Sequence, residues 1–135
     1  MYKIELKQSG FLLTFGGFMD MDEMESWYKD SENVLESPPE SFGLIVDMRD
    51  LRPLPVDAQS LMVKGQQMYK QKGMKRSAVI LNSPITTMQF KRLAQESGIY
   101  DYERYIDASS TARFKEVATE WVRDGIDPDN NGITH

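Results

Sequence analysis

Tyr2, Ile4 and Leu6 alternate with Lys3, Glu5 and Lys7, the period-two pattern of a strand with one wet face. Gln8-Ser9-Gly10 supplies turn chemistry, and Phe11, Leu13 and Phe15 alternate again up to Gly16-Gly17, which predicts a β-hairpin. Asp20-Met21-Asp22-Glu23 then places acid where a helix begins, and Met24, Trp27, Tyr28 and Leu35 form one apolar stripe before Ser37-Pro38-Pro39 ends it. The next two apolar segments, Phe42–Met48 and Ser77–Leu81, are continuous and not alternating, as expected of parallel strands covered on both faces. Between them Ala58, Leu61, Met62, Gly65, Met68 and Tyr69 keep a helical period. Pro55 falls at the first helical position and Asp57 in the first turn.

Asn82-Ser83-Pro84 is a strong helix start, with Ser83 as N-cap and Pro84 at the first position. Phe90, Leu93 and Ala94 give that helix its buried stripe, and Ser97-Gly98 ends it. Tyr102–Ile106 predicts a short last strand. Phe114, Val117, Ala118, Trp121 and Val122 mark a final helix from about Ser110, closed by Asp124-Gly125. The order is ββαβαβαβα: one α/β domain over residues 1–124, a mixed, mostly parallel sheet with covering helices. Residues 125–135 read as a polar, flexible tail.

Composition narrows the chemistry. The 135 residues include no cysteine and one histidine, at the last position, so thiolate metal sites, disulfides, thiol nucleophiles and a Ser-His-Asp triad have no material. A net charge of −5 disfavours nucleic acid, whose binders replace phosphate counterions with their own cations. No apolar run approaches the roughly 20 residues of a membrane span, and the alternating N-terminus is no signal peptide, so the expected location is cytoplasmic. No nucleophile–base pair and no phosphate-binding glycine motif can be named, so the expectation is a non-enzymatic protein without cofactor or metal. In the tail Asp127, Asp129, Asn131 and Gly132 match the opening half of a calcium loop, but the required glutamate at its twelfth position is missing.

Three groups of residues are candidate sites. The segment Asp47–Asp57 follows the first buried strand, where open α/β sheets receive ligands and partners. It holds Asp47, Arg49, Asp50, Arg52 and Asp57, with Arg49 and Arg52 as bidentate donors to an anion or a partner peptide. Mixed-sign clusters of this kind also commonly pair within themselves. Ser83, Thr86 and Thr87 open the next helix, whose free N–H groups either hold an anion or are simply capped. Met19, Met21, Met24 and Trp27 are either core or the lining of an apolar ligand groove or subunit contact, which leaves the oligomeric state open, a dimer included.

The element order, Phe42-Gly43-Leu44-Ile45-Val46-Asp47-Met48-Arg49 and Glu103-Arg104-Tyr105-Ile106-Asp107 together resemble the STAS-like, or SpoIIAA-like, domains, whose founding members are anti-sigma-factor antagonists. The chain resembles an uncharacterised SpoIIAA-like branch, also likened to lipid-binding SEC14 domains, more than it does the founding members. The resemblance implies a regulatory module that binds a kinase-like or signalling protein, with a carrier or sensor of a small apolar or lipid-like ligand as the alternative. Founding members carry a phosphorylatable serine at the start of the helix after the first buried strand. This chain has Pro55-Val56-Asp57-Ala58 there, so switching by phosphorylation at that place is not expected. Asp57 supplies either a fixed negative charge in its stead or a favourable first-turn carboxylate.

Overall fold

The computed structural model describes residues 1–8 and 10–130. Strands β1 (Tyr2–Lys7) and β2 (Gly10–Gly17) form the antiparallel hairpin. Helix α1 (Met21–Val34), strand β3 (Phe42–Leu51), helix α2 (Val56–Gln71), strand β4 (Met74–Leu81), helix α3 (Pro84–Ser97), strand β5 (Glu103–Asp107) and helix α4 (Phe114–Thr119) follow. The strands lie in the order β1-β2-β3-β4-β5, and every pairing after the hairpin is parallel. The predicted order and sheet type are therefore those of the molecule.

Alternation along the strands divides the interior in two. Leu13, Phe15, Leu44, Val46, Met48, Val79 and Leu81 meet the stripes of α1, α2 and α3. Ala78, Ile80 and Ile106 face the other way, against Ala118 and Trp121 of α4 and its continuation. That continuation, Glu120–Asp124, is a π turn, and α4 begins at Phe114, later than the sequence suggested. Asp107 takes up the intervening residues, accepting the Ser109 N–H at 2.9 Å and its hydroxyl at 2.6 Å.

The expectation of a loose tail from residue 125 does not hold for its first half. Asp127 accepts both Nε (2.8 Å) and Nη2 (3.0 Å) of Arg104, which folds residues 126–130 back on β5. The Arg104 guanidinium in turn lies 4.3 Å from the centre of the Trp121 ring, a stacked cation over an aromatic face. Asn131 and Gly132, the other half of the calcium-loop pattern, and His135 lie outside the described residues. Asp127 and Asp129 serve a guanidinium, and no group of acidic or histidine side chains among the described residues could hold a metal ion.

Trp27 shows how tightly α1 and α2 are joined. Its ring stacks on Tyr69 at 6.2 Å and 12°, meets Phe15 edge-on at 5.4 Å, and is 2% exposed. The Tyr69 hydroxyl and Ser31 Oγ bond at 2.9 Å beside it. The indole fits only because residue 65 has no side chain: a Cβ on Gly65 would stand 2.2 Å from Trp27 Cη2. Replacing glycine by alanine inside a helix normally gains up to about 1 kcal/mol. Here Gly65→Ala is expected to reverse that sign, costing about 1–3 kcal/mol through overpacking and lowering the melting temperature by several degrees. A calorimetric scan that finds the variant as stable as the parent contradicts this packing.

Candidate functional site

Parallel strands deliver the segments that follow β2, β3 and β4 to one end of the sheet, and four exposed apolar side chains stand on those segments. Phe18 follows β2, Val56 opens α2, and Ile85 and Met88 lie in the first two turns of α3. They are 58%, 83%, 69% and 72% exposed. Arg52 and Asp57, on the connection after β3 and in the first turn of α2, are exposed and make no ion pair among the described residues.

This end of the sheet is held rigidly. Leu54, itself 3% exposed, donates its N–H to Gln89 Oε1 at 2.7 Å, and its carbonyl accepts Nε2 of both Gln89 and Gln59 at 3.1 Å. Arg92 Nη2 completes the clamp on Gln59 Oε1 at 2.6 Å. The Arg52 N–H bonds to the Gly17 carbonyl at 3.0 Å, and Asn82 Nδ2 to the Arg49 carbonyl at 3.3 Å. The connection 52–55 is thus pinned to α3 on one side and β2 on the other, a surface formed before any partner arrives.

The structure separates the candidate residues of the Asp47–Asp57 segment. Strand β3 runs on through Leu51, so Asp47, Arg49 and Asp50 belong to the sheet and only 52–55 form a loop. Polar residues can stay in the strand because Asp47 and Arg49 satisfy each other: Nε at 3.0 Å and Nη2 at 2.8 Å grip the two carboxylate oxygens. Burial works to raise the Asp47 carboxyl, but hydrogen bonds from the Arg49 side chain and backbone outweigh it and hold it below the usual carboxylate range. Arg49 also lies 4.8 Å from the Phe114 ring centre, under α4. Neither is spare for a partner. An irregularity in the β2–β3 pairing turns Asp50 outward while Leu51 stays buried.

The other two groups resolve toward structure. Ser83 Oγ accepts the Thr86 N–H at 3.3 Å, and the Ser83 carbonyl accepts both the N–H (2.9 Å) and the hydroxyl (2.8 Å) of Thr87. Thr86 is 1% exposed and its N–H is taken by the Ser83 cap, while Ser83 and Thr87 border an open cleft with Asn82, Met88 and Asp107. Met19, Met24 and Trp27 are at most 2% exposed and Met21 is half-buried, so they are core and not a groove. The cavity beside Trp27, lined also by Gln66, Tyr69 and Glu103, has about 30 Å³, room for a water or two. Ligand pockets run to roughly 300–1,000 Å³, so this cavity among the described residues is too small for a lipid chain.

Sequence reading missed one residue. Glu103, the first residue of β5, is 4% exposed. Its carboxyl accepts the Ser77 hydroxyl and the Tyr105 hydroxyl, both at 2.7 Å, while Trp121 Nε1 donates to the Ser77 carbonyl at 2.9 Å. Burial pushes Glu103 up to about 7 against the pull of its two donors. Burial and the neighbouring carboxylate push the Tyr105 phenol up as well. The available signal was Ser77, a hydroxyl at the head of an apolar run with a glutamate opening the next strand.

The fold is SpoIIAA-like. An uncharacterised protein of Shewanella loihica PV-4 with a SpoIIAA-like fold superposes with a TM-score of 0.61 at 16% identity, covering 90% of this chain and 92% of that one. An anti-sigma factor antagonist from Mycobacterium paratuberculosis gives 0.58 at 18% identity, covering 92% and 94%. No family model and no curated protein matches the sequence. Among the described residues no helix is long and apolar enough to cross a membrane.

The buried carboxyl makes a pH prediction. Below about pH 4.5 Glu103 is neutral in both folded and unfolded chains; between 4.5 and about 7 only the unfolded chain ionises, so stability falls as pH rises and levels off above 7. The loss is about 3 kcal/mol. Urea titrations at pH 5 and pH 8 should show Glu103→Gln gaining that amount relative to the parent at the higher pH. Parallel pH profiles for the two proteins contradict the assignment.

Proposed function

We propose that this chain is a non-enzymatic regulatory module that binds a protein partner through the carboxyl-end surface of its sheet. The observation that carries the reading is that Phe18, Val56, Ile85 and Met88, four exposed apolar side chains, and the exposed Arg52 stand at one end of the sheet, with the connection 52–55 clamped by Gln89. Apolar anchors beside an unpaired guanidinium, on a frame that needs no reordering, are what a protein interface uses at its centre. The likeness to an anti-sigma factor antagonist supports a partner of the signalling kind in a cytoplasmic setting.

In this reading Arg52, Asp50 and Asp57 meet the partner's polar groups, while Asp47 and Arg49 keep β3 in place. The start of α2 offers no hydroxyl in Pro55–Ala58, so binding is not switched by phosphorylation there.

A partner captured by the parent chain should bind Ile85→Asp/Met88→Asp and Arg52→Glu at least about tenfold more weakly, as loss of central anchors does. Melting temperatures should stay near that of the parent, because all three positions are exposed. Tyr102→Asp, at the other end of the sheet, should bind normally. Full binding by the first two variants, or loss confined to the third, overturns the proposal.

A further inference from the structure

The sheet has two edges, β1 and β5. Residues 126–130 fold against β5 through Arg104 and Asp127, whereas among the described residues no segment pairs with the outer side of β1. Met1 and Gly16 exchange both backbone hydrogen bonds, at 2.8 and 2.9 Å. Antiparallel pairing alternates, so Lys3, Glu5 and Lys7 likewise turn their backbone groups to β2. Tyr2, Ile4 and Leu6 turn theirs to the open edge. No proline, glycine or bulge interrupts these six residues. Such an edge is a template for another strand unless something blocks it.

We propose that two copies of this chain join through β1, antiparallel, with Ile4 facing Ile4 and Tyr2 facing Leu6, making one ten-stranded sheet. The charge pattern selects this register. It sets Lys3 of each copy opposite Glu5 of the other, twice by symmetry. Sliding by two residues one way sets Glu5 against Glu5 and Lys3 against Lys7; the other way sets Lys3 against Lys3. Lysines on an edge strand ordinarily repel strands at large; with Glu5 between them they admit one partner in one alignment. Within one copy Glu5 has only a loose contact with Lys7, at 3.5 Å on the surface. On the opposite face Leu6, 69% exposed, borders a groove of 510 Å³ with Ile4, Phe11, Val34, Pro38 and Pro39. The partner's Tyr2 would lie against that wall.

Sedimentation equilibrium from micromolar to near-millimolar chain, at low salt, tests this. The parent should approach twice its 15.5 kDa. Lys3→Glu alone and Glu5→Lys alone each set like charges opposite one another and should weaken the dimer at least about tenfold. The double exchange restores opposite signs and should recover most of the affinity. Ile4→Pro removes an outward N–H at the symmetry axis without touching the bonds to β2, and should give a folded monomer. A parent that stays monomeric throughout overturns the proposal, and so does a dimer indifferent to the single exchanges.

Discussion

Everything in this molecule depends on strand β4 being buried on both of its faces. Val79 and Leu81 look into the core under α2 and α3, while Ala78 and Ile80 look into the smaller core under α4 and Trp121. The crossover helices of β4, α2 before it and α3 after it, cover one face and return the chain so that its neighbours run parallel, while α4 and its continuation cover the other. Once β2, β3 and β4 are parallel, their following segments must emerge at one end. Phe18, Val56, Ile85, Met88 and Arg52 are brought to that end by that geometric necessity, from stretches of chain far apart in sequence.

Two polar devices let the sheet keep this arrangement. Asp47 and Arg49 neutralise each other along β3 beneath Phe114, so that a charged stretch can remain in the sheet. Glu103 is held between Ser77 and Tyr105 at the junction of β4 and β5, and Trp121 grips the Ser77 carbonyl from the other core. Burying a carboxyl is costly and its donors compensate only in part. Glu103 and Tyr105 also border an open cleft of about 440 Å³ with Lys91, Tyr100 and Arg104, so the same pair that ties β4 to β5 reaches the surface.

Much of this could be read from the sequence, because continuous apolar runs, helical stripes and the Ser83-Pro84 start are local signals. The rest was hidden where charge and burial part company. Asp47 and Arg49 looked like loop residues because two charges in a strand are costly unless they meet, and only three-dimensional pairing shows that they do. Glu103 was passed over because a glutamate defaults to solvent. Met19, Met24 and Trp27 could be placed in core or groove by period alone; their burial decides for core, and for Trp27 the missing side chain of Gly65 makes the room. Residues 126–130 looked loose because their anchor, Arg104, is more than twenty positions away.

The absence of cysteine permits a direct measurement. A nitroxide on Val56→Cys, at a position 83% exposed, stands at the carboxyl end of the sheet, and methyl-labelled methionines report on what lies near it. The fold places Met88 at that end and Met74 at the other end of β4, roughly 20 Å away along the strand. Broadening of the Met88 methyl with a sharp Met74 signal is the predicted result. A broadened Met74 beside a sharp Met88 would mean that the strands do not run as described, and the proposed surface would not exist.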